Sequence, residues 1–356
     1  MNILDYLRTY KDFSFKEEPF NECDALALSL ISYFPFDQLE NPKKIYDSKS
    51  LLNRLDKMND FGVNSRKESL LILLKLICSS SRYKGIKFFK FEKTKNDNAF
   101  IQFQAVSVVV FDFVFVSFCG TDSSTTGWRE DLNMSCVDIV PSEIEAIRYA
   151  NQINKFVLFK KLMIGGHSKG GRLSIRAAKG LEKKKNLFGV YNFDGPNFKP
   201  EFYDDEYGLV EPFIKEYAPN ESIIGRLFTA SQDIIVISSN RHLLNQHDAY
   251  SWQIDGTSFI REEDFTERSN NIVRSINIAI GKYNDEIKQR FVDSLFDLLE
   301  MLEIKDFSSS EILAASLKYG VTQLPRKWKN IPKEDRDVLF KILLSLVKEF
   351  IKASFA

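Results

Sequence analysis

The feature that most constrains this chain is the run Gly165-Gly166-His167-Ser168-Lys169-Gly170-Gly171, which contains G-x-S-x-G. Leu162-Met163-Ile164 before it is a short apolar run that reads as a buried strand. Arg172 to Ala178 after it reads as a helix. A strand feeding a glycine-flanked serine and then a helix is the context of a nucleophile elbow. The turn is sharp, and the small residues flanking the serine let strand and helix approach closely. The serine Oγ then stands at the top of the sheet, with a helix N-terminus that favours a developing oxyanion. Glycine-rich strand-to-helix turns also bind phosphate. A Walker loop, however, needs G-x-x-x-x-G-K-[ST], and Gly171 and Arg172 stand where Lys and Ser or Thr belong.

The flanking sequence predicts an α/β fold of the α/β-hydrolase type: a mostly parallel sheet with flanking helices and a helical C-terminal extension. Residues 1 to about 85 read as mainly helical, with Asn21–Phe34 and Ser69–Ser79 the clearest segments. Strands are predicted at 86–91 and 99–105, with a turn at 95–98 between them. The Val- and Phe-rich stretch Val106–Phe118 reads as one central, doubly buried strand. Ser142 and Glu145 match a capping box opening a helix that runs to about Phe159. Leu187–Phe193 and Ile223–Thr229 read as the next strands, and such alternation with helices argues for parallel pairing. From about 260 the pattern is helical, in Asn270–Met301 and Lys333–Ser354. The domain division expected is 1–260 for the hydrolase-like unit, helical N-terminal segment included, and 261–356 for the helical region.

Composition excludes several classes. Lys plus Arg and Asp plus Glu balance at 49 each, so there is no basic excess to suggest a nucleic-acid partner. The four cysteines form no C-x-x-C pair, which argues against zinc and fits a reducing compartment. No cofactor or metal is expected. The N-terminus lacks a secretory pattern, and no apolar run reaches transmembrane length, so a cytoplasmic location is expected. The 31 phenylalanines fit a large apolar core better than an apolar substrate.

A serine nucleophile needs a base, an orienting acid and an oxyanion hole. Of the three histidines, His167 lies in the elbow and is poorly placed to serve its neighbour. His247, in a loop after the last predicted strand, is the preferred base over His242. The acid is sought between serine and histidine in the chain. Asp233, following the strand predicted to end near Thr229, is preferred over Asp194, which follows the preceding strand. The backbone N–H of Lys169 and a second donor from Thr121, in Phe118-Cys119-Gly120-Thr121, are the expected oxyanion hole.

These blocks carry a resemblance. Phe118–Thr121, Gly127-Trp128-Arg129-Glu130-Asp131 and the elbow resemble the class 3 lipase-like branch of the α/β-hydrolases. The bacterial Mbeg-like family, formerly a domain of unknown function, is the nearer likeness. Phe15–Asn21 with Asp24-Ala25-Leu26 resembles that family's N-terminal signature, and Asp194-Gly195-Pro196 and His247–Trp252 resemble its later blocks. The likeness covers about residues 1 to 260. It implies the hydrolase fold and a Ser–Asp–His triad but no substrate. Cys119 stands where the lipases often carry Arg, so lipase detail does not transfer. The expected activity is a serine esterase acting on an acyl lipid or small acyl ester. The alternative is a non-catalytic binding or scaffold protein that keeps the fold, since fold alone does not establish activity. The C-terminal helix, with Leu339, Ile342, Leu343, Leu346, Val347, Phe350 and Ile351 on a broad face, is expected to pack on the body. Its second reading is contact with an anionic lipid surface through Lys341, Lys348 and Lys352.

Overall fold

The structure is a computed structural model that describes residues 1–39, 41, 44–56, 65–156, 160–228, 233–304 and 328–355. Its centre is an eight-stranded sheet whose strands lie side by side in chain order. They are β1 (Tyr46–Asp47), β2 (Lys87–Asn96), β3 (Ile101–Val110), β4 (Phe113–Phe118), β5 (Lys161–His167), β6 (Leu187–Phe193), β7 (Ile214–Pro219) and β8 (Ile234–Ile237). The β1–β2, β2–β3 and β3–β4 pairings are antiparallel, and the four from β4 to β8 are parallel. The helices are α1 (Ile3–Thr9), α2 (Glu22–Leu30), α3 (Ser48–Leu55), α4 (Ser65–Ser79), α5 (Thr125–Asn133), α6 (Pro141–Phe156), α7 (Lys169–Lys179), the short α8 (Asp205–Gly208), α9 (Glu267–Gly281), α10 (Asp285–Met301) and α11 (Lys333–Phe355).

The period-2 alternation of the strands sorts the core into two layers. On β4, Phe113 and Phe115 face the N-terminal helices together with Leu26, Leu28, Leu73 and Ile77. Val114, Val116 and Phe118 face the other way, onto Ala146, Tyr149 and Ala150 of α6 and Leu173 and Ala177 of α7. The sheet is therefore covered on both faces, which is why its strands read as continuous apolar runs. The N-terminal layer is pinned by a buried pair, Arg82 with Asp24 at 2.5 Å, to which Tyr83 and Tyr6 also donate. Asp24, part of the N-terminal resemblance, is thus committed to structure.

Several predicted elements differ from those observed. Val106–Phe118 is two strands, β3 and β4, joined by a two-residue hairpin at Phe111-Asp112, with Phe111 at φ 49°. The first hairpin turns at 97–100, slightly after the predicted position. Ile223–Thr229 is not a strand: Ile224–Arg226 is a 3-10 turn, and Thr229 lies outside the described residues. The sheet instead takes Ile214–Pro219 as β7 and Ile234–Ile237 as β8. Ser142 does not cap α6. Pro141 opens that helix, and Glu143 Oε2 reaches back to the Val140 N–H at 3.0 Å, while Glu145 pairs with Arg148. The helix ends at Phe156; residues 157–159 lie outside the described set.

The C-terminal helices pack onto the body. Ile272 and Val273 of α9 cluster with Ile223, and Asp293 of α10 pairs with Arg129 of α5 at 2.7 Å. On α11, Leu339 and Ile342 are buried, and Asp335 pairs with Arg290 of α10 at 2.6 Å. Phe340, Leu343 and Leu344 are exposed. The side chains of Leu346, Val347, Phe350 and Ile351 lie outside those described. Among the described residues, no helix is long and apolar enough to cross a membrane.

Candidate active site

The site is built at the carboxyl edge of the parallel strands, where open α/β sheets place their ligands. β5 ends at His167 and α7 begins at Lys169, so Ser168 alone makes the turn, at φ 60° and ψ −135°. A non-glycine residue held there stores about 1–3 kcal/mol of strain. The surrounding backbone enforces it: Ser168 donates its N–H to Phe193 O at 2.9 Å and accepts from Gly171 N at 2.8 Å. The flanking glycines permit the approach. A Cβ on Gly166 would lie 2.3 Å from Gly170 C and O, and one on Gly170 would lie 2.1 Å from Phe118 O. The predicted strand–serine–helix elbow is therefore present, with β4 pressed against it.

The loop after β4 meets the serine directly. A Cβ on Gly120 would stand 2.1 Å from Tyr33 Oη and 3.1 Å from Ser168 Cβ, so only glycine fits. The next residue, Thr121, donates its hydroxyl to Asp131 Oδ2 at 2.6 Å. Burial pushes the Asp131 carboxyl up to about 6, with the nearby Lys169 ammonium and the Thr121 hydroxyl opposing the shift. The N–H of Lys169, at the first position of α7, has no partner within the helix by the geometry of helix ends. Burial pushes the neighbouring Cys119 thiol up to about 12, which removes it as a competing nucleophile.

His247 closes a 3-10 turn, Leu243–His247, in the loop after β8. Its Nδ1 lies 2.6 Å from Asp194 Oδ2. Asp194 follows β6, is buried, and sits at φ 56°. Its Oδ1 accepts from Ser222 Oγ at 2.5 Å and from the Gly225 N–H at 3.2 Å. The carboxylate beside His247 is therefore Asp194, not the expected Asp233. The reason is strand direction. Asp233 precedes β8, and β8 runs parallel to β7 and, through it, to β6 and β5. Asp233 thus stands at the amino edge of the sheet, opposite the carboxyl edge that carries Ser168 and Asp194. His242, the alternative base, is 88% exposed at its side chain and lies 3.3 Å from Glu221.

His167 has a placement that sequence reasoning did not foresee. Its Nε2 lies 2.8 Å from His247 O and its Nδ1 lies 2.9 Å from Tyr33 Oη. A carbonyl oxygen can only accept, so Nε2 carries the proton, and in the neutral ring Nδ1 accepts from the Tyr33 hydroxyl. The His167 and His247 rings pack with centroids 4.7 Å apart. The residue before the serine thus holds the histidine loop against the elbow. The Asp131–Thr121 bond was likewise unforeseen, although G-W-R-E-D was conspicuous as a motif. Its signal was a carboxylate nearly two helix turns into the segment that follows the Gly-Thr loop.

Ser168, His247, Thr121 and Asp131 line one cavity of about 410 Å³. Its other walls include Leu30, Tyr33, Leu70, Trp128, Ile224 and Tyr250, with Lys67, Asp122 and Asp248 also present. Helices α2 and α4 of the N-terminal layer therefore supply part of the wall. An open, partly apolar cavity with a strained serine and a carboxylate-paired histidine can accommodate attack on a carbonyl.

Two solved structures align with this chain. A native Rhizomucor miehei lipase propeptide complex aligns at 16% identity, covering 61% of this chain and 81% of its own, with a TM-score of 0.36. A two-residue deletion mutant of the same complex aligns at 18% identity over 55% and 70% of the two chains, with a TM-score of 0.35. No curated protein matches the chain. The Mbeg1-like family model matches residues 77–297, a span that begins in α4, contains every sheet strand from β2 onward and reaches into α10. With well over half of its length matched, this chain belongs to the Mbeg1-like family.

Proposed function

We propose that this protein is a serine hydrolase that cleaves a carboxylic ester through an acyl-enzyme. Ser168 is the nucleophile, His247 the base and Asp194 the orienting acid. The observation that carries the reading is the convergence of a strained elbow serine and a histidine paired with a buried carboxylate at 2.6 Å on one cavity. Asp194 accepts the His247 Nδ1–H, which leaves the lone pair on Nε2. Nε2 takes the Ser168 proton as Oγ attacks the ester carbonyl. The oxyanion is met by the Lys169 N–H and by Thr121, and the positive end of α7 favours it. Collapse breaks the ester C–O bond, and the leaving alkoxide takes the proton from His247. Water, deprotonated by His247, then attacks the acyl-enzyme and releases the acid and Ser168. The apolar wall of Leu30, Leu70, Trp128 and Ile224 suits an acyl chain, so an acyl lipid or small acyl ester is the proposed substrate class.

The test is labelling of the full chain by a fluorophosphonate probe, which reacts only with an activated serine. Labelling of the wild type and none of Ser168→Ala supports the reading. An unlabelled wild type would overturn it in favour of a non-catalytic binding protein on the same fold.

A further inference from the structure

Lys169 is an odd residue for its place. It stands at the first position of α7, where the helix dipole disfavours a cation. Its side chain is 1% exposed, and that of its partner Glu130 is fully buried. The ammonium has three donors and three acceptors: Gln102 O at 2.8 Å, Gln102 Oε1 at 2.6 Å and Glu130 Oε2 at 3.0 Å. Glu130 Oε2 also accepts the Gln102 N–H at 3.2 Å, and Oε1 accepts the Ser142 N–H at 2.7 Å. Gln102 Nε2 reaches Gly120 O at 3.5 Å. Stability alone does not account for such a pair, because well-packed apolar residues in place of a buried ion pair are often neutral or stabilising.

What the cluster joins is specific. Lys169 carries one oxyanion-hole donor on its own backbone. Gln102 of β3 touches the loop that carries the other, and Glu130 is adjacent to Asp131, which holds the Thr121 hydroxyl. We propose that the Lys169–Glu130 pair, with Gln102, positions the oxyanion hole by fixing the elbow N–H relative to the Gly120-Thr121 loop. The inference rests on the serine-hydrolase reading. These side chains act through the backbone donors and do not touch substrate. A donor displaced by about 1 Å costs on the order of 10² in rate.

The experiment removes both charges together, so that neither is left buried alone. The full-length K169M/E130L variant and the single E130Q variant are compared with wild type on p-nitrophenyl butyrate. kcat is normalised to the serine titrated by fluorophosphonate. The expected result for the double variant is a cooperative melt at a lowered temperature, because the Gln102 and Ser142 N–H groups lose their acceptor, with kcat lower by about 10² per titrated serine, KM within about threefold and an unmoved pH midpoint. Should the double variant fail to fold, E130Q carries the test, with kcat down about tenfold or more at unchanged KM. A folded double variant with wild-type kcat per active serine overturns the proposal while the hydrolase reading stands. A wild type that neither hydrolyses the ester nor labels overturns both.

Discussion

Replacing Asp194 by asparagine tests the proposed triad most sharply, because the two carboxylate oxygens have different partners. Oδ1 accepts from the Gly225 N–H and Ser222 Oγ, and Oδ2 accepts from His247 Nδ1. The Gly225 N–H can only donate, so the asparagine oxygen must stay on that side. Its NH2 then faces Nδ1 and donates to it. The imidazole is forced to carry its proton on Nε2, where it cannot accept from Ser168. The geometry is otherwise isosteric, so the fold should persist. A wrong tautomer at this position lowers kcat by about 10⁴, or about 5 kcal/mol of barrier. Asp233→Asn, at the other edge of the sheet, should change kcat by less than about twofold, as a substitution away from the reacting groups does. The assay is kcat for p-nitrophenyl butyrate at pH 7.5 with melting temperature as the control. An Asp194→Asn enzyme that keeps a tenth of wild-type kcat, or an Asp233→Asn enzyme with the larger loss, would refute the reasoning.

Ser168→Ala should abolish ester turnover. Ser168→Gly should do the same while raising the melting temperature by about 2 °C, as the positive-φ strain is relieved, which a thermal shift assay reads directly. The raised carboxyl of Asp131 has a definite sign in stability. The folded chain holds that proton up to about pH 6, and the unfolded chain releases it near its ordinary value, so this contribution is fully present below about pH 4 and lost as pH rises to 6. Asp131→Asn should therefore flatten the fall in melting temperature between pH 4 and 6, and an unchanged slope contradicts the assignment. His167→Phe removes the donor to His247 O and should lower kcat by about tenfold with Ser168 still labelled; wild-type kcat shows that the clamp is dispensable. Truncation after Pro332 exposes the partners of Leu339 and Ile342 and leaves Arg290 without Asp335, so the melting temperature should fall. Liposome co-sedimentation lost on that truncation, with stability unchanged, would favour the membrane-surface reading of α11.

Local signals carried much of the fold in the sequence. β6 falls on its expected limits, and β5 and α7 are found where expected, each extending three residues further toward Ser168 than its apolar run. The β3–β4 hairpin was invisible for a physical reason. Both strands are buried on both faces, so their sequences join into one apolar run, and the turn uses Phe111-Asp112 with a phenylalanine at positive φ rather than Asn-Gly or Asp-Gly. β7 was hidden by its composition, since Ile-Lys-Glu-Tyr-Ala-Pro carries two charges and a proline. Ile223–Phe228 had the apolar content of a strand, but tertiary context turned Ile224–Arg226 into a 3-10 helix.

That single exchange of strands explains why Asp194, not Asp233, lies beside His247. Chain order alone allows any aspartate between Ser168 and His247, and both Asp194 and Asp233 seemed to follow a strand. Taking Ile223–Thr229 as a strand put Asp233 at a carboxyl end. Once the strand is Ile234–Ile237, the same residue precedes it and moves to the opposite edge of the sheet. Asp194 keeps its place because β6 was read correctly, and a parallel sheet gathers the ends of β4, β5 and β6 on one rim. His247 reaches that rim only because β8 also runs toward it. The selection of Asp194 is thus a consequence of strand polarity, which neither residue type nor spacing encodes. An Asp194→Asn and Asp233→Asn pair measures polarity and chemistry together.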